Sequence, residues 1–298
     1  MNKNLHPVLD SYPTEMQVVL KKIAYDDNFS AVITTEQFKH LMDVARMSDS
    51  ELRIALLPLA AAYSHAPISK FHVGAIVRGG SGHLYFGANL EILSTQLGQT
   101  VHAEQSAISN AWANGESSII DITISDSPCG HCRQFINETS TAQTLKIQLP
   151  ERQEALLRDF LPDAFGPENL GSDQRLLDPL SHNHYFNSDD PTTQMAVNAL
   201  NFSYAPYSKD HSGVAILLDD GTFCLGAYAE NAAFNPSLPP LQMALCQVRL
   251  KGYGFDSIKE VALVEMTDGT VSHLADTQST LDAINPDTPL TYAALPTQ

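Results

Sequence analysis

The chain has 298 residues, and its 17 lysine and arginine against 34 aspartate and glutamate residues give a formal net charge of −17. The length allows two ordinary domains, and 43% apolar residues suit a packed globular protein rather than a disordered one. The acidic balance argues against general nucleic-acid binding because it repels phosphate backbones. A soluble protein that handles small molecules is therefore expected.

The amino-terminal segment contains no apolar run of signal-peptide length, and the longest apolar stretch, 54–63, is too short to cross a bilayer. We therefore expect a cytoplasmic protein without membrane contact. Four cysteines are too few for a disulfide framework. Cys129 and Cys132 have C-x-x-C spacing, whereas Cys224 and Cys246 lie in apolar contexts typical of core residues.

Helices are predicted over the first sixty residues. Apolar residues recur at helical spacing over 15–24, then from a Thr34 or Thr35 cap to about 47, and from Ser48 or Asp49 to about 62. Short apolar runs at 72–77 and 84–87 follow, joined by a glycine-rich turn at 79–82, which predicts a hairpin.

Helices and strands then alternate, with a helix over 102–112, a strand over 119–125, a helix over 130–138 and a strand over 145–149. This alternation is typical of a layered α/β domain. Residues 151 to about 191 are broken by prolines and contain no long periodic segment, so we expect a connector with short helical turns.

An internal repeat organises the chain. A shift of 139 residues aligns 62–91 with 201–230 and gives eleven identities in thirty positions, where about two are expected by chance. The predicted fold is therefore a duplicated three-layer α/β/α domain with a small helical amino-terminal region. The predicted divisions are a helical region at 1–48, a working copy at 49–150, a connector at 151–190 and a degenerate copy at 191–298.

The first copy contains a candidate zinc set. His102 and Glu104 are followed by Pro128, Cys129 and Cys132, which together form the H-x-E…P-C-x-x-C signature of zinc-dependent base deaminases. One imidazole and two thiolates leave a fourth tetrahedral position for water. Both segments lie at predicted helix starts, where partial positive charge lowers the pKa of a cysteine.

The alternatives to catalytic zinc are a structural zinc site and a redox pair. Under the same shift His102 faces Leu241, Glu104 faces Met243, Cys129 faces Asp268 and Cys132 faces Val271, so the whole set is absent from the second copy. A structural zinc would be needed by both copies for folding. The loss of these residues as a unit favours catalysis.

The sequence resembles the long-chain bacterial cytidine deaminases, which are homodimers of two-domain chains. The matching segments cover essentially the whole chain and include Phe71–Ala75, Gly87–Glu91, His102–Glu104, Pro128–Gln134, Leu161–Pro167 and Leu238–Gln242.

The resemblance implies zinc-dependent hydrolytic deamination of cytidine and deoxycytidine to uridine and deoxyuridine, with release of ammonia, in pyrimidine salvage. One Zn²⁺ per chain would be held by His102, Cys129 and Cys132. Zinc-bound hydroxide would attack C4 of cytosine while Glu104 shuttles the protons.

Substrate-binding residues are also implied. Asn89 and Glu91 would bind the ribose hydroxyls, and Phe71 would stack on the pyrimidine. Asn89 is otherwise a turn former and Glu91 a solvated charge, and Glu91 alone has a counterpart, Glu230, in the second copy. The resemblance further implies a homodimer in which the partner subunit closes the site, with Phe165 of the connector as the candidate residue.

Four rival functions remain. A deoxycytidylate deaminase needs a phosphate site, and no basic cluster adjoins the motifs. A nucleic-acid editing enzyme conflicts with the charge of −17, and a free-base deaminase has no use for Asn89 and Glu91. A catalytically silent zinc protein has no use for Glu104. His131 is expected to be exposed, and the pair His182 and His184 is expected to be a solvated surface feature.

Overall fold

The computed structural model describes residues 4–26 and 29–296. The helices are α1 (Leu5–Ser11), α2 (Thr14–Ala24), α3 (Thr35–Ala45), α4 (Asp49–Ala61), α5 (Ala103–Ala113), α6 (Gly130–Asn137), α7 (Leu157–Phe160), α8 (Pro191–Leu200), α9 (Pro240–Leu250) and α10 (Leu274–Ile284). The strands are β1 (Val32–Ile33), β2 (Gly74–Gly79), β3 (Leu84–Ala88), β4 (Ile119–Ile124), β5 (Lys146–Gln148), β6 (Ala155–Leu156), β7 (Ser212–Leu218), β8 (Phe223–Ala227), β9 (Ile258–Met266) and β10 (Leu290–Leu295).

The predicted helices and strands of the first copy are confirmed, and local chemistry accounts for their bounds. Thr34 and Ser48 each form a capping box, with Gln37 and Glu51 respectively, so α3 and α4 begin where a hydroxyl satisfies free amides. Helix α1 and the two-residue strand β1 lie outside the predicted elements. Both are too short for apolar periodicity to distinguish them from coil.

Two mixed sheets have the same central pattern. The first has the order β1-β3-β2-β4-β5-β6 and the second β10-β9-β7-β8. In each, the central strand is antiparallel to two neighbours, and the last strand of the pattern is added in parallel. The strands β3-β2-β4-β5 therefore correspond to β8-β7-β9-β10, and the predicted duplication is confirmed.

The backbones of the two copies also agree in detail. The shift of 139 residues maps Lys70, with φ of +57°, onto Lys209, with φ of +62°. It also maps Gly82, with φ of +86°, onto Gly221, with φ of +89°. Both glycines lie in hairpin turns that require a left-handed backbone conformation. Non-glycine residues seldom adopt such angles, so their repetition indicates one ancestral unit.

The inner helices of the two copies form one shared layer. Val77 of β2 and Val214 of β7 belong to the same hydrophobic core as α5 and α9. The neighbouring residues on each strand lie on the opposite face of the sheet, because side chains alternate along a strand. Ile76 packs with α4 and the amino-terminal helices, and Ala215 packs with α8. Each copy is therefore an α/β/α sandwich as predicted, and burial of α5 and α9 between the sheets joins the two copies.

Residues 151–190 contain short helical turns and, beyond what the sequence predicted, a short strand. Strand β6 pairs with β5, α7 spans one turn, and a 3₁₀ helix covers Pro167–Leu170. Among the described residues, no helix is both long and apolar enough to cross a membrane.

Glu138 joins the two copies through a fully buried carboxylate. Its Oε1 accepts hydrogen bonds from the hydroxyls of Tyr204 (2.8 Å) and Tyr207 (2.6 Å), and its Oε2 accepts from the backbone amide of Ala232 (3.0 Å). Glu138→Ala would leave the Tyr207 hydroxyl and the Ala232 amide without this acceptor, whereas the Tyr204 hydroxyl also lies 2.9 Å from Gln174 O. We expect it to lower the free energy of unfolding by about 3 kcal/mol.

Urea unfolding of Glu138→Ala and Glu138→Gln measures this effect. The glutamine keeps an oxygen for the two tyrosines and should therefore destabilise less than alanine. An alanine variant as stable as the unmodified chain would show that Glu138 does not hold the copies together.

Candidate active site

The motif residues lie at two helix starts. His102 caps α5 and Cys129 caps α6, both in extended backbone conformation, and Cys132 lies one turn into α6. Cys132 is fully buried, whereas Cys129 is exposed. Both helix N-termini direct backbone amides and partial positive charge towards the three side chains.

The three donor atoms converge. His102 Nδ1 lies 3.1 Å from Cys132 Sγ and 3.4 Å from Cys129 Sγ, and the two sulfurs are 3.6 Å apart. Ligands of a tetrahedral zinc ion with bonds of about 2.0–2.3 Å are separated by about 3.5–3.8 Å. The donor atoms are therefore of the types that bind zinc, and their separations lie at or up to about 0.4 Å below those of a tetrahedral zinc site.

The electrostatics of the cysteines favour a metal ligand. Hydrogen bonds with Cys132 and His102 lower the pKa of Cys129 to about 3, so this sulfur is a thiolate at neutral pH. The bond with Cys129 and burial raise the pKa of Cys132. In the absence of a metal, Cys129 is therefore the thiolate of the pair, and binding of a cation would favour deprotonation of Cys132 as well.

Glu104 follows His102 by two residues on α5 and is 4% exposed. Burial raises the pKa of its carboxyl above the ordinary value. A carboxyl with a raised pKa holds a proton more readily than a solvated glutamate does. This property is typical of a general acid and base.

A pocket of about 300 Å³ opens above these residues, a volume at the lower end of small-molecule sites. The structure brings all of the predicted site residues except the buried Cys132 to its lining. The full lining consists of Ser69, Phe71, Val73, Asn89, Glu91, Thr100, His102, Ala103, Glu104, Asp126, Ser127 and Cys129.

Asn89 and Glu91 also hold the loop that carries Phe71. Asn89 accepts from Val73 N (2.9 Å) and donates from Nδ2 to Phe71 O (2.9 Å). Glu91 accepts from the backbone amides of Ile68 (2.8 Å) and Ser69 (3.0 Å). Hydrogen bonds from Ser69 and Ile68 outweigh burial and lower the pKa of Glu91, so it is a carboxylate. Both residues therefore shape the pocket.

Glu230 shows which part of this arrangement is structural. It accepts from the backbone amides of Tyr207 (2.7 Å) and Ser208 (3.1 Å), at positions that match those of Ile68 and Ser69. The loop-holding role of the glutamate thus persists in a copy that lacks the zinc set. Asn89 has no such counterpart, because the second copy has Tyr228 there.

Sequence reasoning did not assign a role in the site to the other lining residues, which are Ser69, Val73, Thr100, Ala103, Asp126 and Ser127. Asp126 and Ser127 follow the end of β4 and precede Pro128, so their proximity to the P-C-x-x-C motif was the available signal. It also missed how this loop is fixed. Arg133 donates from Nε to Pro128 O (2.8 Å) and from Nη1 to Phe160 O (2.9 Å).

The second copy supports the site from behind. Gln105 Nε2 donates to Pro236 O (3.0 Å), and Asn231 Nδ2 donates to Gln134 O (3.0 Å). The loop that precedes α9 is therefore attached to both helices that carry the donor set. Leu241 and Met243, which replace His102 and Glu104 in this copy, are fully buried core residues.

Two expectations for histidines are wrong. His131 is half-buried rather than exposed, because its Nε2 lies 3.2 Å from Asn235 O of the second copy. His182 and His184 are not a solvated pair. His182 stacks on His211 with ring centroids 3.5 Å apart, and its Nε2 lies 2.8 Å from Ser203 O. Both contacts depend on segments distant in sequence.

Comparison with known proteins shows which family this chain resembles. Family models described as the cytidine and deoxycytidylate deaminase zinc-binding region match residues 47–147 and 157–278. Cytidine deaminases of Vibrio atlanticus and Photobacterium profundum are 58% and 55% identical over 295 and 294 residues, which cover 99% of this chain and 100% of each relative. A crystal structure of cytidine deaminase from Mycobacterium tuberculosis aligns with 40% of this chain and 99% of its own at 31% identity, with a TM-score of 0.37. The chain belongs to the cytidine deaminase family.

Proposed function

We propose that His102, Cys129 and Cys132 hold the zinc ion with which this chain, a cytidine deaminase, removes the amino group of cytidine and deoxycytidine. The observation that carries the proposal is the convergence of one imidazole and two sulfurs within 3.6 Å, beside a buried carboxyl in a pocket. When bound, zinc supplies acidification of a water molecule, which makes water a nucleophile at neutral pH.

Glu104 is the proton carrier. The reaction adds water across the C4–N3 double bond of the pyrimidine and then releases ammonia. One proton must therefore pass from water to ring N3, and a second from the new C4 hydroxyl to the leaving amino nitrogen. Glu104 lines the pocket, and burial, which raises the pKa of its carboxyl, favours the protonated form that it adopts between the two proton transfers. A carboxylate that was itself a zinc ligand would be a weaker base, because the charge of the metal would stabilise its ionised form.

Asn89, Glu91 and Phe71 bind the nucleoside. The amide of Asn89 donates one N–H to Phe71 O and keeps a second, and the Glu91 carboxylate keeps acceptor positions beyond its loop contacts. These groups suit ribose hydroxyls. Phe71 is 55% exposed at the pocket mouth, where its ring offers a stacking surface for the base.

The substrate is the nucleoside rather than the nucleotide. Among the described residues that line the pocket, none is lysine or arginine, and Glu91 and Asp126 add two carboxyl groups to that of Glu104. A phosphate would be placed against these groups without a cationic partner, which disfavours deoxycytidylate.

Incubation of the purified protein with cytidine, deoxycytidine, dCMP and cytosine tests this assignment. Loss of cytosine absorbance and release of ammonia are expected with the first two alone, because cytosine lacks the ribose and dCMP adds the phosphate. Turnover of dCMP in preference to the nucleosides would refute the substrate proposal and leave the deaminase chemistry intact.

The active form is a homodimer whose partner subunit completes each site. Phe71 of the pocket lining is 55% exposed. Large apolar side chains are also exposed on neighbouring segments and on loops attached to α6, namely Ile68 (46%), Leu97 (73%), Phe165 (43%) and Phe234 (62%). Asn137 Nδ2 donates to Phe165 O (3.3 Å), so α6 fixes the backbone of Phe165 while its ring remains outside. Exposed apolar groups around a site are typical of an interface.

Mixing of two variants tests the shared site. Phe165→Ala and Glu104→Gln chains should each be inactive alone, and subunit exchange should restore about a quarter of the activity, because half of the dimers are mixed and each has one complete site. Light scattering checks the dimer. No recovery after demonstrated exchange would show that Phe165 does not act across the interface.

The compartment follows from the thiols. All four cysteines are free, and the proposed zinc ligands must remain reduced to bind metal. We therefore propose a cytoplasmic location.

A further inference from the structure

The second copy has a polar cluster at the place that corresponds to the active-site pocket. Under the shift of 139 residues, Asp210 replaces Phe71, Ser212 replaces Val73 and Glu265 replaces Asp126. All three first-copy residues line the pocket. The degenerate copy has thus lost the zinc set and has acquired polar groups where the first copy has an aromatic and an aliphatic residue.

The cluster is compact and buried. Asp210, Glu265 and His273 are 0%, 2% and 8% exposed, and one ligand atom from each lies within 4.8 Å of the other two. His273 Nε2 is 3.5 Å from Asp210 Oδ2. Ser212 lies directly opposite Glu265 in the register of β7 and β9, so its side chain is on the same face of the sheet.

Several of these polar atoms have no hydrogen-bond partner among the described residues: both carboxylate oxygens of Asp210, Ser212 Oγ and His273 Nε2. Glu265 accepts from Ser272 Oγ (3.0 Å) and from the backbone amide of His273, which leaves further lone pairs. Buried polar groups are almost always satisfied, and an unpaired buried carboxylate is especially costly.

Neither a side-chain cation nor a charged histidine compensates this cluster. In the described parts of the chain, no lysine or arginine forms an ion pair with Asp210 or Glu265. Burial lowers the pKa of His273 to about 4, so its imidazole is neutral at pH 7 and has a lone pair to offer. Burial and the Glu265 charge raise the pKa of Asp210 to about 8, the response of a carboxyl that lacks a cation.

We propose that Asp210, Glu265 and His273 bind a divalent cation that ties together the elements of the second copy. Two carboxylates neutralise its charge, and a ligand set of oxygens with one imidazole suits Mn²⁺ or Zn²⁺. The unpartnered Ser212 hydroxyl is the candidate fourth ligand. The site contains no cysteine and is independent of the catalytic set.

The surrounding backbone explains how the site is closed. Asp210 precedes β7, Glu265 lies near the end of β9, and His273 precedes α10, so one ion would join three segments. A Cβ at Gly269 would overlap the Asp210 carboxylate, so the turn after β9 approaches Asp210 as only glycine permits.

Mn²⁺ titration followed by electron paramagnetic resonance tests the proposal. The full chain is stripped with a chelator, given one zinc per chain for the thiolates, and titrated with Mn²⁺, which thiolates bind poorly. One Mn²⁺ per chain is expected to bind. Asp210→Asn should weaken its binding at least about tenfold, and circular dichroism reports whether this variant folds. If it does not fold, His273→Gln takes its place.

Asp268→Asn is the matched control. It removes the same charge from an exposed position in the segment between Glu265 and His273, and it should leave Mn²⁺ binding unchanged. The absence of a bound Mn²⁺ would overturn the proposal. Equal weakening by both aspartate variants would also overturn it, because the ion would then be attracted by the overall negative charge rather than held by these ligands. Loss in His184→Asn with retention in Asp210→Asn would also overturn it, since the ion would lie at the histidine stack.

Discussion

Glu104→Gln is expected to lower kcat by about 10⁴-fold and to leave the zinc content unchanged. The glutamine amide preserves the size of the buried side chain but has no basic oxygen to accept the proton of water and no acidic proton to deliver to N3. Glu104 Oε atoms are not part of the converging donor set, so the metal remains bound. Steady-state kinetics with cytidine and atomic absorption measure the two quantities.

Asp126→Asn is the competing variant, because Asp126 is another carboxyl of the pocket lining. Asp126 lies outside the H-x-E motif, and we expect its replacement to affect kcat far less than Glu104→Gln. A greater loss in Asp126→Asn would transfer the proton-carrying role to Asp126. Loss of zinc from Glu104→Gln would instead show that the glutamate supports the metal.

Cys132→Ser is expected to reduce zinc from one ion per chain to below about 0.1, and activity with it. The buried sulfur lies 3.1 Å from His102 Nδ1 and 3.6 Å from Cys129 Sγ, so its loss removes one of three ligands from the centre of the set. A serine hydroxyl does not ionise at neutral pH and is a much poorer zinc ligand than a thiolate.

Cys246→Ser is the matched control, since Cys246 is equally a buried cysteine, at 2% exposure, but lies on α9 of the second copy. It makes the same change of sulfur to oxygen away from the donor set and should retain zinc. Elemental analysis of both variants decides the matter. A Cys132→Ser chain that still contains one zinc per molecule would refute the ligand assignment.

Local pattern was sufficient for most of the first copy. Thr34 and Ser48 mark the starts of α3 and α4 because capping is a contact within four residues, and the glycine turn at 79–82 joins β2 to β3 for the same reason. The zinc motif was predictable because each half of it, His102 with Glu104 and Cys129 with Cys132, lies at one helix start.

Sequence alone therefore determined the duplication, the α/β class and the chemistry of the zinc motif, since repeats, periodicity and motif spacing are properties of short segments. Tertiary structure decided which surfaces meet. Residues distant along the chain meet in the shared layer of α5 and α9, in the contact of His131 with Asn235, and in the cluster of Asp210, Glu265 and His273. The position of Asp126 in the pocket lining likewise depends on the conformation of a loop. Periodicity reports whether a side chain is buried but not against which partner, because that choice depends on the packing of whole elements.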